Sequence, residues 1–235
     1  MKSVVVMQSN YLPWKGYFDL VHDADLFIFY DDLQYTKNDW RNRNRIKAVR
    51  GAEWLTVPVG ADCNRLICEV AIKDTAWQAK HWKILLHNYG TCPHFARYRP
   101  WLEDHFLGKS WSSLSDMNQV LVQLISSECL GITTEFQDSR QYSLSGQKQD
   151  RLLDLLIKAG AERYISGPAA KSYIDPMRFS AAGIQVVWKD YSGYPEYPQR
   201  YPPFDHAVSI LDLLFNVGPD AAAFIWGWRR NACAK

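Results

Sequence analysis

Asp31 and Asp32 close the apolar run LFIFY, and Arg41, Arg43, Arg45 and Lys47 follow in the same segment, YDDLQYTKNDWRNRNRIK. Guanidinium groups hold phosphate or carboxylate through charge-assisted, often bidentate hydrogen bonds, which are stronger than neutral ones. The segment therefore reads as an anion site. If it is extended, Arg41, Arg43, Arg45 and Lys47 share one face, with Asn42, Asn44 and Ile46 on the other; if it is helical, Arg41, Asn44 and Arg45 fall together. Asp31, Gln34, Trp40, Arg41, Asn42, Arg43 and Lys47 are candidate substrate contacts. Asp32 is a candidate proton acceptor, since a carboxylate at a strand end can serve as base or receive ribose hydroxyls.

A second motif, QSNYLPWKGYF, follows the first β-branched run. Helix-start N–H groups attract anions, and polar residues at a buried strand end need partners. Gln8, Asn10, Tyr11 and Trp14 are thus candidate contacts. A late strand end, ISGPAAKSYID, offers Ser166 and Lys171. His206, next to Asp205 before the last helix, is a candidate base. Cys92 and His94 stand close enough in sequence to form a nucleophile pair in the right geometry. The six histidines show no metal-ligand spacing, so no metal is expected. The chain has no phosphate-loop, dinucleotide or nucleophile-elbow signature.

These groups need a frame. Ser3–Gln8 reads as a strand, the segment from Pro13 to Val21 as a loop leading into a helix, and Leu26–Tyr30 as a buried strand. This is the βαβ unit of a parallel sheet. Glu53–Val59 and Leu66–Ile72 read as further strands. Helices are expected over Thr75–Tyr89, Phe95–Phe106 and Leu114–Leu130. The βα rhythm returns with a strand at Ile132–Gln137, a helix at Gln149–Ala159 and strands at Arg163–Ser166 and Ile184–Asp190. A helix over Val208–Phe215 ends the pattern. The expected fold is α/β, a mostly parallel sheet with flanking helices, in one domain over 1–235. Residues 60–130 form a helical insertion or cap.

The 235 residues are 47% hydrophobic and 22% charged, which suits one globular domain. A net charge of +2 is too mild for general nucleic-acid binding. Cys63, Cys68, Cys92, Cys129 and Cys233 are scattered and odd in number. The N-terminus turns polar too soon for a signal peptide, and no apolar run approaches the roughly 20 residues needed to span a bilayer. A reduced, cytoplasmic protein without membrane insertion is expected.

QSNYLPWKGYFDL, DDLQYTKNDWRNRNRIK, WLTVPV, ISGPAAKSYID and SILDLLFNVG, in this order, resemble the WbqC-like proteins. One departure is Lys15, where an apolar residue after YLPW is expected. The resemblance implies a bacterial protein of O-antigen (lipopolysaccharide) or other surface-polysaccharide biosynthesis that acts on nucleotide-linked sugars. It further implies N-acyl or aminoacyl transfer to an amino sugar, for which Asp32 or His206 would accept the proton and Asn10 or Asn42 would donate a hydrogen bond to the developing oxyanion. The donor would be a thioester on CoA or an acyl or aminoacyl carrier protein, with no tightly bound cofactor. Two alternatives stay open: an ATP-dependent amide-forming ligase like pantothenate synthetase, and a non-catalytic module that binds nucleotide sugars or carrier proteins. The opening βαβ unit is also similar to nucleotidylyltransferase folds, but Gln8, Asn10 and Tyr11 stand where those carry a histidine pair.

Overall fold

The computed structural model describes residues 1–232, so Cys233 lies outside it. Five parallel strands form the central sheet: β1 (Ser3–Met7), β2 (Leu26–Phe29), β5 (Glu135–Asp138), β6 (Arg163–Ser166) and β7 (Gln185–Trp188). Their order is β5-β2-β1-β6-β7. From β1 the chain first winds outward through β2 and β5. It then crosses to the other side of β1 to lay down β6 and β7. The order therefore reverses between β1 and β6, where open α/β sheets leave a crevice at the strands' carboxyl ends.

The central strands β1 and β2 are covered on both faces, which is why they are apolar runs and not alternating ones. Val5, Phe27, Phe29 and Ile165 face a large core built with α1 (Lys15–His22), α2 (Ala76–Tyr89), α3 (Phe95–Glu103), α4 (Leu114–Leu124) and α7 (Ile210–Val217). Val4, Val6, Leu26, Ile28 and Tyr164 face a smaller core with α5 (Lys148–Lys158) and α6 (Pro176–Ala181). A second sheet, the antiparallel hairpin β3 (Arg43–Ala48) and β4 (Gly51–Thr56), pairs Arg43 with Thr56 through Ala48 with Gly51. The basic segment is therefore extended, with Asn42, Asn44 and Ile46 buried.

Three elements differ from expectation. Leu66–Ile72 is not a strand. Ile67–Glu69 forms one 3₁₀ turn, and the flanking residues make isolated bridges from Leu66 to Gln34 and from Ala71 to Ser113. This segment is apolar because Ile67, Val70 and Ile72 fill the core under the helices, not because it lies in a sheet. The helices expected to end at Phe106 and Leu130 stop at Glu103 and Leu124 and continue as wide π turns. One stretch, Ile210–Arg229, is long and apolar enough to cross a membrane by composition. In this fold Gly218 interrupts it, and Ile210–Val217 is buried in the core. A final helix, α8 (Gly227–Ala232), closes the described chain.

Two buried histidines make the fold acid-sensitive. His81, held by the Tyr11 hydroxyl at 2.8 Å, is pushed down to about 4, and His105 to about 3, burial being the main cause. The unfolded chain takes up these protons near 6.5 and the folded chain does not. Stability is therefore full above pH 6.5 and falls as pH drops toward 4, by up to about 1.4 kcal/mol per pH unit for each histidine. Urea midpoints measured from pH 7.5 to 5 should fall accordingly, and His81→Gln with His105→Gln should flatten that slope. A wild-type profile already flat over this range contradicts the assignment.

Candidate functional site

At the carboxyl ends of β1, β2 and β6 lies a cavity of about 530 Å³. Gln8 follows β1, Tyr30 and Leu33 follow β2, and Ser166 ends β6. The first turn of α5 supplies Lys148, Gln149 and Arg151. Because α5 leaves β5 and returns to β6, its N-terminus stands at this edge of the sheet, where backbone N–H groups and the helix dipole favour an anion. Gly146 and Lys148 take positive φ (79° and 51°) to make the tight entry. Tyr173, over half exposed, forms an outer aromatic wall.

Arg151 is the ordered cation of this crevice. It donates to Asp32 Oδ2 at 2.5 Å and to the Tyr30 hydroxyl at 3.1 Å. Asp32 also accepts from Ser139 Oγ at 2.5 Å. Asp32 is thus bound on both oxygens and orients Arg151, which is a positioning duty and not that of a free base.

A second, smaller cavity of about 210 Å³ lies beyond the same β1 loop. Its walls are Asn10, Pro13, Trp14, Trp40, Asn44 and Ala207. Gln8–Asn10 is a wall of both cavities, since Gln8 lines one and Asn10 the other. Arg41 NH2 donates to Gln8 Oε1 (3.1 Å) and NH1 pairs with Asp39 (3.2 Å). Arg41 Nε is buried with no partner among the described residues. The loop is held by Asn44, whose Nδ2 donates to the carbonyls of Tyr11 (3.2 Å) and Leu12 (2.8 Å). Leu12 needs that support, because its φ of 43° is a conformation a branched side chain rarely adopts.

Gln8, Asn10, Trp14, Trp40 and Ser166 thus line the two cavities, and Arg41, which lines neither, reaches the first only through its bond to Gln8. Four other expected contacts belong to the scaffold. Tyr11 is buried against Trp77 and His81. Asn42 Nδ2 donates to the Val57 carbonyl (3.0 Å), while its buried Oδ1 has no partner among the described residues, and Lys47 reaches Pro203 while its N–H meets the Tyr89 hydroxyl. Asp31, fully buried, accepts from Ser9 N, Ser115 Oγ and Gln119 Nε2, tying two loops to α4. Buried polar groups satisfied this way are not open to a ligand. Gln34 is exposed and bonded to the Cys63 carbonyl, and Lys171 lies over Trp188; neither lines a cavity. Arg43 stacks on Trp54 at 4.2 Å.

His206 follows the Arg45–Asp205 contact and precedes Ala207 of the small cavity. Burial and nearby Lys15 lower its pKa, and its buried Nδ1 has no partner among the described residues. Lys15 itself is buried over Tyr194 and Tyr197 and pushed down to about 8, so the departure from an apolar residue is absorbed by two aromatic rings. Cys92 is no nucleophile here: burial pushes its thiol up, away from the reactive thiolate. Asp19, His22 and Asp23 lie close enough to share an ion, but Lys189 and Arg229 already neutralise the two carboxylates.

Residues 8–224 match the WbqC-like protein family. The chain belongs to this family. It is also similar to the uncharacterized protein Rv1507c of Mycobacterium tuberculosis, with 47% identity over 227 residues covering 96% of this chain and 98% of that protein. No solved structure matches the chain. The family match covers the whole lining of the small cavity and all of the crevice's but Val6 and Met7. Sequence spacing did not point to Lys148, Gln149 and Arg151, whose signal was SLSGQKQDR, a Ser/Gly loop opening a helix after a parallel strand.

Proposed function

We propose that this protein is a cytoplasmic transferase of bacterial surface-polysaccharide biosynthesis that forms an amide on the amino group of a nucleotide-linked sugar. The crevice at the β1/β6 reversal carries this reading. It offers an anion two fixed attractions, the α5 N-terminus and Arg151, and it offers a base aromatic and apolar walls. A nucleoside diphosphate has that mixture of charge and ring.

The chemistry is acyl or aminoacyl transfer. The sugar amine attacks a thioester carbonyl, a C–N bond forms, the C–S bond breaks, and the departing thiolate recovers a proton. The proton acceptor is His206, which is neutral near pH 7 because its pKa is lowered. Asn10, a wall of the small cavity, is the donor to the carbonyl oxygen; Asn42, whose Nδ2 is taken by the Val57 carbonyl, is not. CoA or a carrier protein brings the thioester.

Thermal shift against UDP- and dTDP-sugars, CoA and ATP tests the reading, because a bound ligand stabilises by RT ln(1 + [L]/Kd). Sugar nucleotides should raise Tm, and a thioester plus an amino-sugar nucleotide should yield an amide detectable by mass. Stabilisation by ATP alone would point to the amide-forming ligase, and binding without turnover to a binding module. No response to any nucleotide rejects all three.

A further inference from the structure

We infer that the 210 Å³ cavity beside Trp14 and Trp40 is the subsite for the sugar ring, separate from the crevice that takes the nucleotide. The inference rests on the crevice being a nucleotide site. The volume is below the roughly 300 Å³ at which pockets for whole drug-sized ligands begin, and it suits a single ring.

Its walls are built for stacking. Trp40 leans on Trp54 (centroids 5.6 Å), which Arg43 supports from behind at 4.2 Å. Trp14 rests edge-on against Tyr191 and Tyr194 (5.2 and 6.1 Å). Both indoles are braced on one side. Gly16 has no side chain to obstruct Trp14: a Cβ there would stand 2.2 Å from Trp14 Cζ2. Trp40 and Trp54 are 43% and 45% exposed, so the pair presents an open aromatic face at the edge of the cavity. Rigid aromatic platforms that leave polar edges free are suited to the apolar faces of sugars.

Hydrogen-bonding capacity is present as well. Asn44 is fully spent, its Nδ2 on two carbonyls and its Oδ1 on Arg45 N. Asn10 is not: its Oδ1 is buried with no partner among the described residues. A buried carbonyl without a donor is costly, and a sugar hydroxyl or amine supplies one. The two cavities share the β1 loop, with Gln8 lining the crevice and Asn10 the small cavity, and Arg41 holds Gln8 in place through a bond to its Oε1.

Titration calorimetry with UDP, UDP-glucose, UDP-N-acetylglucosamine, dTDP and dTDP-glucose distinguishes the two sites. At least one sugar nucleotide should bind more tightly than its diphosphate. Trp40→Ala should erase that advantage, roughly tenfold for one stacking contact, while leaving the diphosphate unchanged. Asn10→Ala should act in the same direction. Equal binding of diphosphate and sugar nucleotide, or an equal loss of both in Trp40→Ala, overturns the subsite and leaves the crevice standing. Failure of every nucleotide to bind removes the crevice reading, and the subsite with it.

Discussion

Asp19→Ala should lower stability by about 3–5 kcal/mol, the cost of leaving a buried charge without its partner. Asp19 is fully buried at the middle of α1. Lys189 Nζ approaches its Oδ1 at 2.9 Å, the Tyr194 hydroxyl donates to Oδ2 at 2.5 Å, and Arg229 pairs with the same oxygen. Lys189 is itself almost wholly buried, and it also pairs with Asp23. Removing Asp19 leaves a buried ammonium with half its compensation and a buried tyrosine hydroxyl with no acceptor. Both penalties are desolvation costs that solvent cannot recover. For a chain of this length the loss corresponds to a Tm drop on the order of 10 °C. Calorimetric melts and urea curves check it. Asp19→Leu combined with Lys189→Met, which removes both charges together, should recover part of the loss. A cost below about 1 kcal/mol for Asp19→Ala would mean that water reaches the cluster.

The same cluster shows what a linear sequence conceals. Asp19, Lys189 and Arg229 come from three distant segments, and nothing local to any of them announces a buried charge. Strand β6 was legible because four residues, RYIS, sit between a glycine-ended helix and another glycine. The β3 strand was legible as one of two alternatives, and burial of Asn44 and Ile46 decided between them. Leu66–Ile72 was misread because an apolar run that fills a core and one that joins a sheet have the same composition. The site was legible in its loops and illegible in its chemistry. Gln8, Trp14 and Trp40 line the cavities. Tyr11, Asp31, Asn42 and Lys47, of equally polar or aromatic type, were removed from it by partners that sequence spacing does not reveal: His81, Ser115, Val57 and Tyr89. Arg151 went unnoticed for the opposite reason. A charged residue in a helix's first turns reads as a solvated face until the crossover places that turn at the sheet's carboxyl edge.

Arg151→Met should weaken nucleoside-diphosphate binding by about 1.5–3 kcal/mol, or roughly 10- to 100-fold, the scale of a hydrogen bond to a charged group. The sign of the partner mutation separates ligand binding from scaffolding. Asp32 competes with a phosphate for the same guanidinium. Asp32→Asn retains the Ser139 contact and weakens the hold on Arg151, so it should preserve or tighten nucleotide affinity while costing some stability. Were Asp32 the proton acceptor, Asp32→Asn would abolish turnover with affinity unchanged; with Asp32 in a positioning duty, turnover should fall only modestly. If Arg151 served the fold alone, both substitutions would lower Tm, the double variant would cost less than their sum, and affinity would not move. Calorimetric titration with UDP at two salt concentrations decides between these, because a lost phosphate contact also reduces the salt dependence of binding. Unchanged affinity in a folded Arg151→Met variant would remove Arg151 from the site and leave the α5 N-terminus as the crevice's one fixed attraction for an anion.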